Sequence, residues 1–117
     1  MLFRSSMTER DRLFLGHVLE AITAIESFTA EGRKQFMSDL KTQSAVVRQL
    51  EIIGEAVKNL SPPLVAKETA VPWRLIAGTR DRLIHKYFRV DLDAVWAMVG
   101  QDLPSLNANV RRLLGLD

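Results

Sequence analysis

Apolar residues in the first part of the chain recur with the period of an α-helix. Those that alternate at spacings of four and three are Phe14, Val18, Ala21, Ile25 and Phe28, with Leu15 and Ile22 widening the stripe. Such spacing places the side chains on one face of a helix. Thr8 and Asp11 occupy the two reciprocal positions of a capping box, so a helix is predicted to begin just after Thr8 and to end before Gly32.

A second helical pattern covers residues 33–59. Its first apolar turn contains Phe36, Met37 and Leu40, and its stripe then continues through Val46, Leu50, Ile53, Val57 and Leu60. Pro62 and Pro63 follow, and proline cannot continue a helix. Gly54 lies inside the pattern, where glycine costs about 1 kcal/mol relative to alanine. We interpret it as a point of close approach between two helices.

The second half of the chain predicts two more helical elements. One begins at Pro72 and buries an apolar side made of Trp73, Ile76, Ala77, Ile84 and Phe88. The other begins after the capping residue Asp91, and Pro104 predicts a kink or break between Gly100 and Pro104. No stretch alternates long enough for a strand. We therefore predict an all-α, up-and-down bundle of four to five helices.

Composition narrows the class of protein. The chain has 117 residues, 47% hydrophobic and 26% charged, which favours a single soluble domain over residues 1–117, with residues 1–7 a candidate disordered extension. The absence of cysteine excludes thiol nucleophiles and cysteine metal sites. With no membrane-length apolar run and no signal-peptide pattern, we expect a cytoplasmic protein. A net charge of +2 means that any nucleic-acid site must come from local clustering of basic residues.

Such a cluster lies between residues 78 and 91. It contains Arg80, Asp81, Arg82, His85, Lys86, Tyr87 and Arg89. An arginine presents planar charged donors that match a phosphate, and a histidine transfers protons near neutral pH. RNA strand cleavage needs both functions, because a 2′-hydroxyl loses a proton, a 5′-oxygen gains one and the pentavalent phosphate must be stabilised. Asp81 could orient His85 or Arg80. The sequence has no plausible metal cluster, so we expect neither a metal nor another cofactor.

Helix geometry complicates this interpretation. Five residues correspond to about 500° of rotation, which leaves Arg80 and His85 roughly 140° apart on a regular helix. Either the helix is distorted, or a second copy of the chain supplies the facing groups. We favour a two-fold dimer, in which two such segments surround one cleft.

Simpler interpretations exist for each of these residues. The four basic side chains could form a solvated face, and Tyr87 could be a half-buried aromatic residue with a hydrated hydroxyl. Glu51 and Glu55 lie four residues apart and could approach the cleft or a metal, although ion pairs with Arg48 or Lys58 are the expected arrangement. His17 is interpreted as a structural or surface residue.

The segment RDRLIHKY, residues 80–87, resembles the Arg-x4-His-x-Tyr motif of the HepT-like family in the HEPN superfamily. The similarity covers nearly the whole chain. Other matching segments include residues 11–12 and 17–20, VRQLEIIGEA (47–56), PWRLIAG (72–78), VDLDAVW (90–96) and DLPSL (102–106). Two positions depart mildly from the family pattern, since Asp81 stands where asparagine is frequent and Thr79 where methionine is common.

The resemblance implies an all-α dimer in which two motifs line a shared cleft. It implies the toxin of a type VII toxin–antitoxin pair, a metal-independent endoribonuclease that leaves 2′,3′-cyclic phosphate ends on tRNA or mRNA. Arg80 and His85 would be the catalytic pair, supported by Asp81, with RNA contacts from Arg82, Lys86 and Arg89. The partner would be an MNT-type nucleotidyltransferase antitoxin, which uses ATP to adenylylate Tyr87.

Two other functions fit the same residues. One is a non-catalytic nucleotide- or RNA-binding module that acts as the partner subunit of a nucleotidyltransferase. The other is a structural helical dimer with a basic surface. Cleavage of RNA that depends on His85 separates the enzyme from both.

Overall fold

The computed structural model describes residues 7–83 and 90–116, and within them the chain is all-α, as predicted. The helices are α1 (Glu9–Phe28), α2 (Arg33–Ser38), α3 (Leu40–Lys58), α4 (Pro62–Lys67), α5 (Trp73–Ala77), α6 (Thr79–Leu83), α7 (Leu92–Ala97) and α8 (Leu103–Leu114), with a π-helical segment at Met98–Asp102. None of these helices combines the length and the apolar character needed to cross a bilayer. Residues 1–6 lie outside the described residues, whereas Met7 packs against the core.

The core forms where α1 packs along α3 and against α8. The buried face of α1 is centred on Leu15, Val18, Ile22 and Ile25. The predicted stripe is confirmed for these residues and for Ala21, and Phe14 also packs against the core, although it is only partly buried. Phe28, the last residue of α1, is 39% exposed, so its predicted burial is wrong.

The predicted second helix is divided at Asp39. Asp39 has an extended backbone, and its carboxylate accepts hydrogen bonds from the Lys41 amide at 3.1 Å and the Thr42 hydroxyl at 2.7 Å. A new helix therefore begins at Leu40, whose side chain is 75% exposed rather than buried as predicted. The remainder of the predicted stripe is buried, at Val46, Leu50, Ile53, Val57 and Leu60.

The predicted third helix is also divided. Gly78 ends α5 by donating its amide to the Arg74 carbonyl, and α6 begins at the next residue. Trp73 is buried as predicted, and Ile76 and Ala77 are partly buried. Ile84 and Phe88, which the prediction put on the same buried side, lie outside the described residues.

The interruption predicted between Gly100 and Pro104 is present as a distortion of the helix rather than as its end. The chain passes from α7 to α8 through the π-helical segment Met98–Asp102, and Pro104 lies in the first turn of α8. Asp91 caps α7 as predicted, because its carboxylate accepts from the Ala94 amide at 3.0 Å.

The capping box at the start of α1 is confirmed, and it does more than predicted. Thr8 and Asp11 exchange hydrogen bonds of 3.0 and 3.1 Å between side chain and backbone. Asp11 is 1% exposed and also accepts from the amide of Ser61 at 2.8 Å and its hydroxyl at 2.7 Å. Burial alone raises the pKa of Asp11, but the hydrogen bonds from Ser61 and Thr8 outweigh it, so the pKa is lowered. This carboxylate connects the start of α1 to the turn after α3.

Candidate functional site

Arg80 projects from α6 toward α3. Its Nε atom lies 3.5 Å from Oε2 of Glu51, and the arginine side chain remains 64% exposed. The Glu51 carboxylate also lies 3.9 Å from Nη1 of Arg48, and Glu55 lies 3.6 Å from Nζ of Lys58. The predicted ion pairs with Arg48 and Lys58 are therefore present. Glu51, however, takes part in the site as well, since it contacts the candidate catalytic arginine.

Gly54 explains how α3 comes within reach of Arg80. A Cβ atom at position 54 would lie 3.2 Å from the carbonyl oxygen of Ile76 and 3.5 Å from that of Ala77. The prediction that this glycine allows close helix approach is confirmed. The end of α5 rests on α3 at this point, and α6, which follows directly, carries Arg80 alongside Glu51 one helical turn away.

Between α3 and α6 lies a cleft of about 240 Å³, which we call the Arg80 cleft. Its lining residues are Glu51, Gly54, Glu55, Lys58, Ala77, Arg80 and Asp81. Both cationic and anionic side chains line it, so its field is mixed rather than uniformly positive. Asp81 is exposed, and no hydrogen bond joins it to Arg80, both of which are described residues. Its predicted role of orienting His85 stays a prediction.

Arg82 lies on the other side of α6, because two residues correspond to about 200° of helix rotation. Its guanidinium donates to the Leu75 carbonyl at 3.4 Å and lies 3.8 Å from the carboxylate of Asp102. It borders a second cleft of about 200 Å³, which is walled by apolar side chains such as Ile53 and Met98. Arg80 and Arg82 therefore do not form one continuous basic patch. The predicted RNA contact of Arg82 stays a prediction.

His85, Lys86, Tyr87 and Arg89 lie outside the described residues. The residues on either side of this segment are described and lie close together. The amide of Asp91 donates to the carbonyl of Leu83 at 2.9 Å, and Leu83 is buried. The end of α6 and the start of α7 are therefore joined by a backbone hydrogen bond.

A third cleft, of about 420 Å³, adjoins the first. Its lining includes Arg48, Glu51, Val90 and Leu92. Glu51 therefore borders both the Arg80 cleft and the third cleft, which Val90 also lines. From the sequence, an ion pair with Arg48 was the expected contact of Glu51. The sequence feature that pointed to its second contact, with Arg80, was Gly54, which lies three residues further along α3 and allows close helix approach.

The comparison with protein families decides the relationship. Residues 18–113 match the family model described as ribonuclease HepT-like. The chain belongs to the HepT-like ribonuclease family. The predicted resemblance is confirmed, and the matched region runs from the middle of α1 to the last turn of α8, with residues 80–87 inside it.

Curated relatives of this HepT-like chain agree with the assignment. It is 46% identical over 101 residues to a protein of Thermococcus cleftensis named probable ribonuclease HepT, an alignment that covers 86% of this chain and 92% of that protein. It is 41% identical to a candidate RNase of Caldanaerobacter subterraneus, covering 88% and 93% of the two chains. A Methanocaldococcus jannaschii protein named gamma-glutamylcyclotransferase and candidate RNase is 39% identical, covering 88% of this chain and 47% of that protein. No solved structure matches this chain significantly.

Proposed function

We propose that this HepT-like chain is a metal-independent endoribonuclease and the toxin of a type VII toxin–antitoxin pair, acting in the cytoplasm. The observation that carries the proposal is the position of Arg80. Its guanidinium lies on the wall of an open cleft, it is mostly exposed, and it begins the Arg-x4-His-x-Tyr motif. A charged planar donor in such a place suits a phosphodiester.

In the proposed reaction, the 2′-oxygen of one nucleotide attacks the adjacent phosphorus. The new bond joins the 2′-oxygen to phosphorus, and the bond from phosphorus to the 5′-oxygen breaks. His85 accepts the proton of the 2′-hydroxyl, and a protonated His85 from the second copy of a two-fold dimer donates a proton to the leaving 5′-oxygen. Arg80 stabilises the charge that develops on the phosphate oxygens. The products are a 2′,3′-cyclic phosphate and a 5′-hydroxyl.

Within this proposal, the other motif residues bind or regulate. Arg82, Lys86 and Arg89 contact the RNA backbone. An MNT-type nucleotidyltransferase adenylylates Tyr87 with ATP, which adds a phosphate and a base seven residues after Arg80. The added negative charge competes for the arginine donors and repels the RNA, so the toxin is neutralised.

The test expresses the protein in a bacterial host and follows growth together with cleavage of labelled tRNA by the purified protein. We expect the parent to arrest growth and cleave RNA, and His85→Ala to do neither while remaining helical and dimeric. Arg74→Ala, which removes an exposed arginine of α5, is the control and should behave as the parent. Mass spectrometry must first show that Tyr87 is unmodified.

Undiminished cleavage by purified His85→Ala would refute the assignment of His85. If unmodified parent protein binds RNA tightly but forms no product, the enzyme proposal fails. The nucleotide- or RNA-binding module then becomes the better description.

A further inference from the structure

We infer that Glu51 is a positioning residue for Arg80, and this inference rests on the proposed ribonuclease function. Glu51 approaches the guanidinium from its Nε side, with Oε2 at 3.5 Å. A guanidinium has two edges that can receive an anion, one made by Nε and one Nη, the other by both Nη atoms. With the carboxylate on the Nε side, the edge made by both Nη atoms remains available to a phosphate in the cleft that Arg80 lines.

The side chains of Arg80 and Glu51 differ in solvent exposure and in conformational freedom. The Arg80 side chain is 64% exposed, whereas that of Glu51 is 28% exposed and comes from the middle of the long helix α3. A free arginine loses rotamer entropy when it is fixed. A contact that restricts Arg80 before substrate arrives reduces this loss in the transition state. At 3.5 Å the pair is looser than a hydrogen bond, and such contacts commonly shorten when the substrate binds.

The local backbone is built to allow this contact. Because residue 54 is a glycine, α3 can approach the carbonyl groups of Ile76 and Ala77 at the end of α5. Arg80 lies three residues after Ala77. Arg48 lies 3.9 Å from the other oxygen of Glu51, so the carboxylate is attracted from two sides. Glu51 is thus placed between two arginines, on the boundary of two clefts.

A carboxylate at this place has opposing effects on the reaction. As an anion it repels the RNA backbone and weakens binding, which raises KM. As a restraint on Arg80 it raises kcat. If the ion pair had only a structural role, Glu51 would raise KM without raising kcat. The split between KM and kcat therefore separates a positioning role from a structural one.

The chain offers a control matched in charge and location. Glu55 lies one turn further along α3 and lines the same cleft, but its ion pair is with Lys58. Both Glu51→Ala and Glu55→Ala remove one negative charge, so both should lower KM a few-fold. Only Glu51→Ala should also lower kcat, by about tenfold, because the Arg80 side chain is then no longer restrained before the substrate binds. Glu51→Gln, which keeps an oxygen near Nε, should recover part of kcat.

A second readout does not depend on activity. In the parent, the Nε–H proton of Arg80 should exchange with water more slowly in NMR spectra than in Glu51→Ala, and Glu55→Ala should resemble the parent. Equal kcat values for Glu51→Ala and Glu55→Ala, or equal exchange rates in parent and Glu51→Ala, would overturn the inference. If the parent cleaves no RNA, the proposed function fails, and the exchange measurement still decides whether Glu51 restrains Arg80.

Discussion

Two carboxylates, Asp11 and Glu51, each join helices that are far apart in sequence, yet they do so in different ways. Asp11 is 1% exposed and accepts hydrogen bonds of 2.7 and 2.8 Å from Ser61. Glu51 is 28% exposed and has arginines at 3.5 and 3.9 Å. Short hydrogen bonds in a dry site hold the fold in one arrangement. A longer ion pair in water contributes about 0–1 kcal/mol to stability and leaves the arginine able to bind a second anion.

From this difference we expect the two carboxylates to affect different properties, Asp11 the stability and Glu51 the proposed RNA cleavage. The hydrogen bonds of Asp11 join the start of α1 to the turn after α3. The ion pair between Glu51 and Arg80 lies elsewhere, where α5 and α6 pack against α3. Substitutions at the first place should change unfolding, and substitutions at the second should change RNA cleavage.

The largest effect on stability is expected for Asp11→Ala. It leaves the amide and hydroxyl of Ser61 without their buried acceptor, so the free energy of unfolding should fall by about 3 kcal/mol in urea denaturation. The control is Asp93→Ala, which removes an exposed ion pair with Arg33 of 2.8 Å and should cost less than about 1 kcal/mol. Equal losses for the two variants would mean that Asp11 does not have the structural role described.

A medium effect is expected from a comparison of two helix glycines. Alanine at Gly16 meets no atom within 4 Å, so Gly16→Ala should stabilise the protein by up to about 1 kcal/mol through helix propensity. Alanine at Gly54 must displace the carbonyl of Ile76, which lies 3.2 Å from the new Cβ. Gly54→Ala should therefore be about 1–2 kcal/mol less stable than Gly16→Ala and should cleave RNA more slowly. Equal gains in stability at both positions would contradict the close approach of α3 and α5.

The smallest expected effect is a change in the free energy of unfolding at acidic pH. The lowered pKa of Asp11 means that its contribution to stability is complete above the unfolded-state pKa, near 3.8, and is lost as the pH falls through the lower pKa of the folded state. The difference in unfolding free energy between the parent and Asp11→Asn should therefore shrink as the pH is lowered below 3.8. Measurements of thermal unfolding between pH 7 and about 2 would show it. A difference that is constant over this range would argue against the hydrogen-bonded carboxylate.

The capping residues Thr8 and Asp91 act within a few residues of themselves, and the sequence predicted both correctly. The α3 stripe from Val46 to Leu60 and the close approach at Gly54 were also predicted correctly, although the glycine acts on α5, a helix further along the chain. The exposure of Phe28 and Leu40 was not predicted, because it depends on which neighbouring helices cover these positions, and the apolar pattern alone does not give the positions of those helices.

The candidate site was predicted less completely than the fold. The motif gave Arg80 and His85, but it could not show that Arg80 contacts Glu51, which lies 29 residues earlier in the chain. It also grouped Arg80 and Arg82, whereas the structure directs them to different clefts on two sides of α6. Two residues on one helix are about 200° apart, so the motif spacing already separates the two arginines, but only the positions of α3 and of Asp102 show which cleft each one lines.

The central claim is that Arg80 and His85 cleave RNA without a metal ion. The most direct measurement incubates the purified protein, with Tyr87 unmodified, with labelled tRNA in EDTA, beside Arg80→Ala and Arg74→Ala, and identifies the product ends. We expect 2′,3′-cyclic phosphate ends with the parent and with Arg74→Ala, and at least about 100-fold slower cleavage with Arg80→Ala. Cleavage that stops in EDTA, or that proceeds equally fast without Arg80, would contradict it.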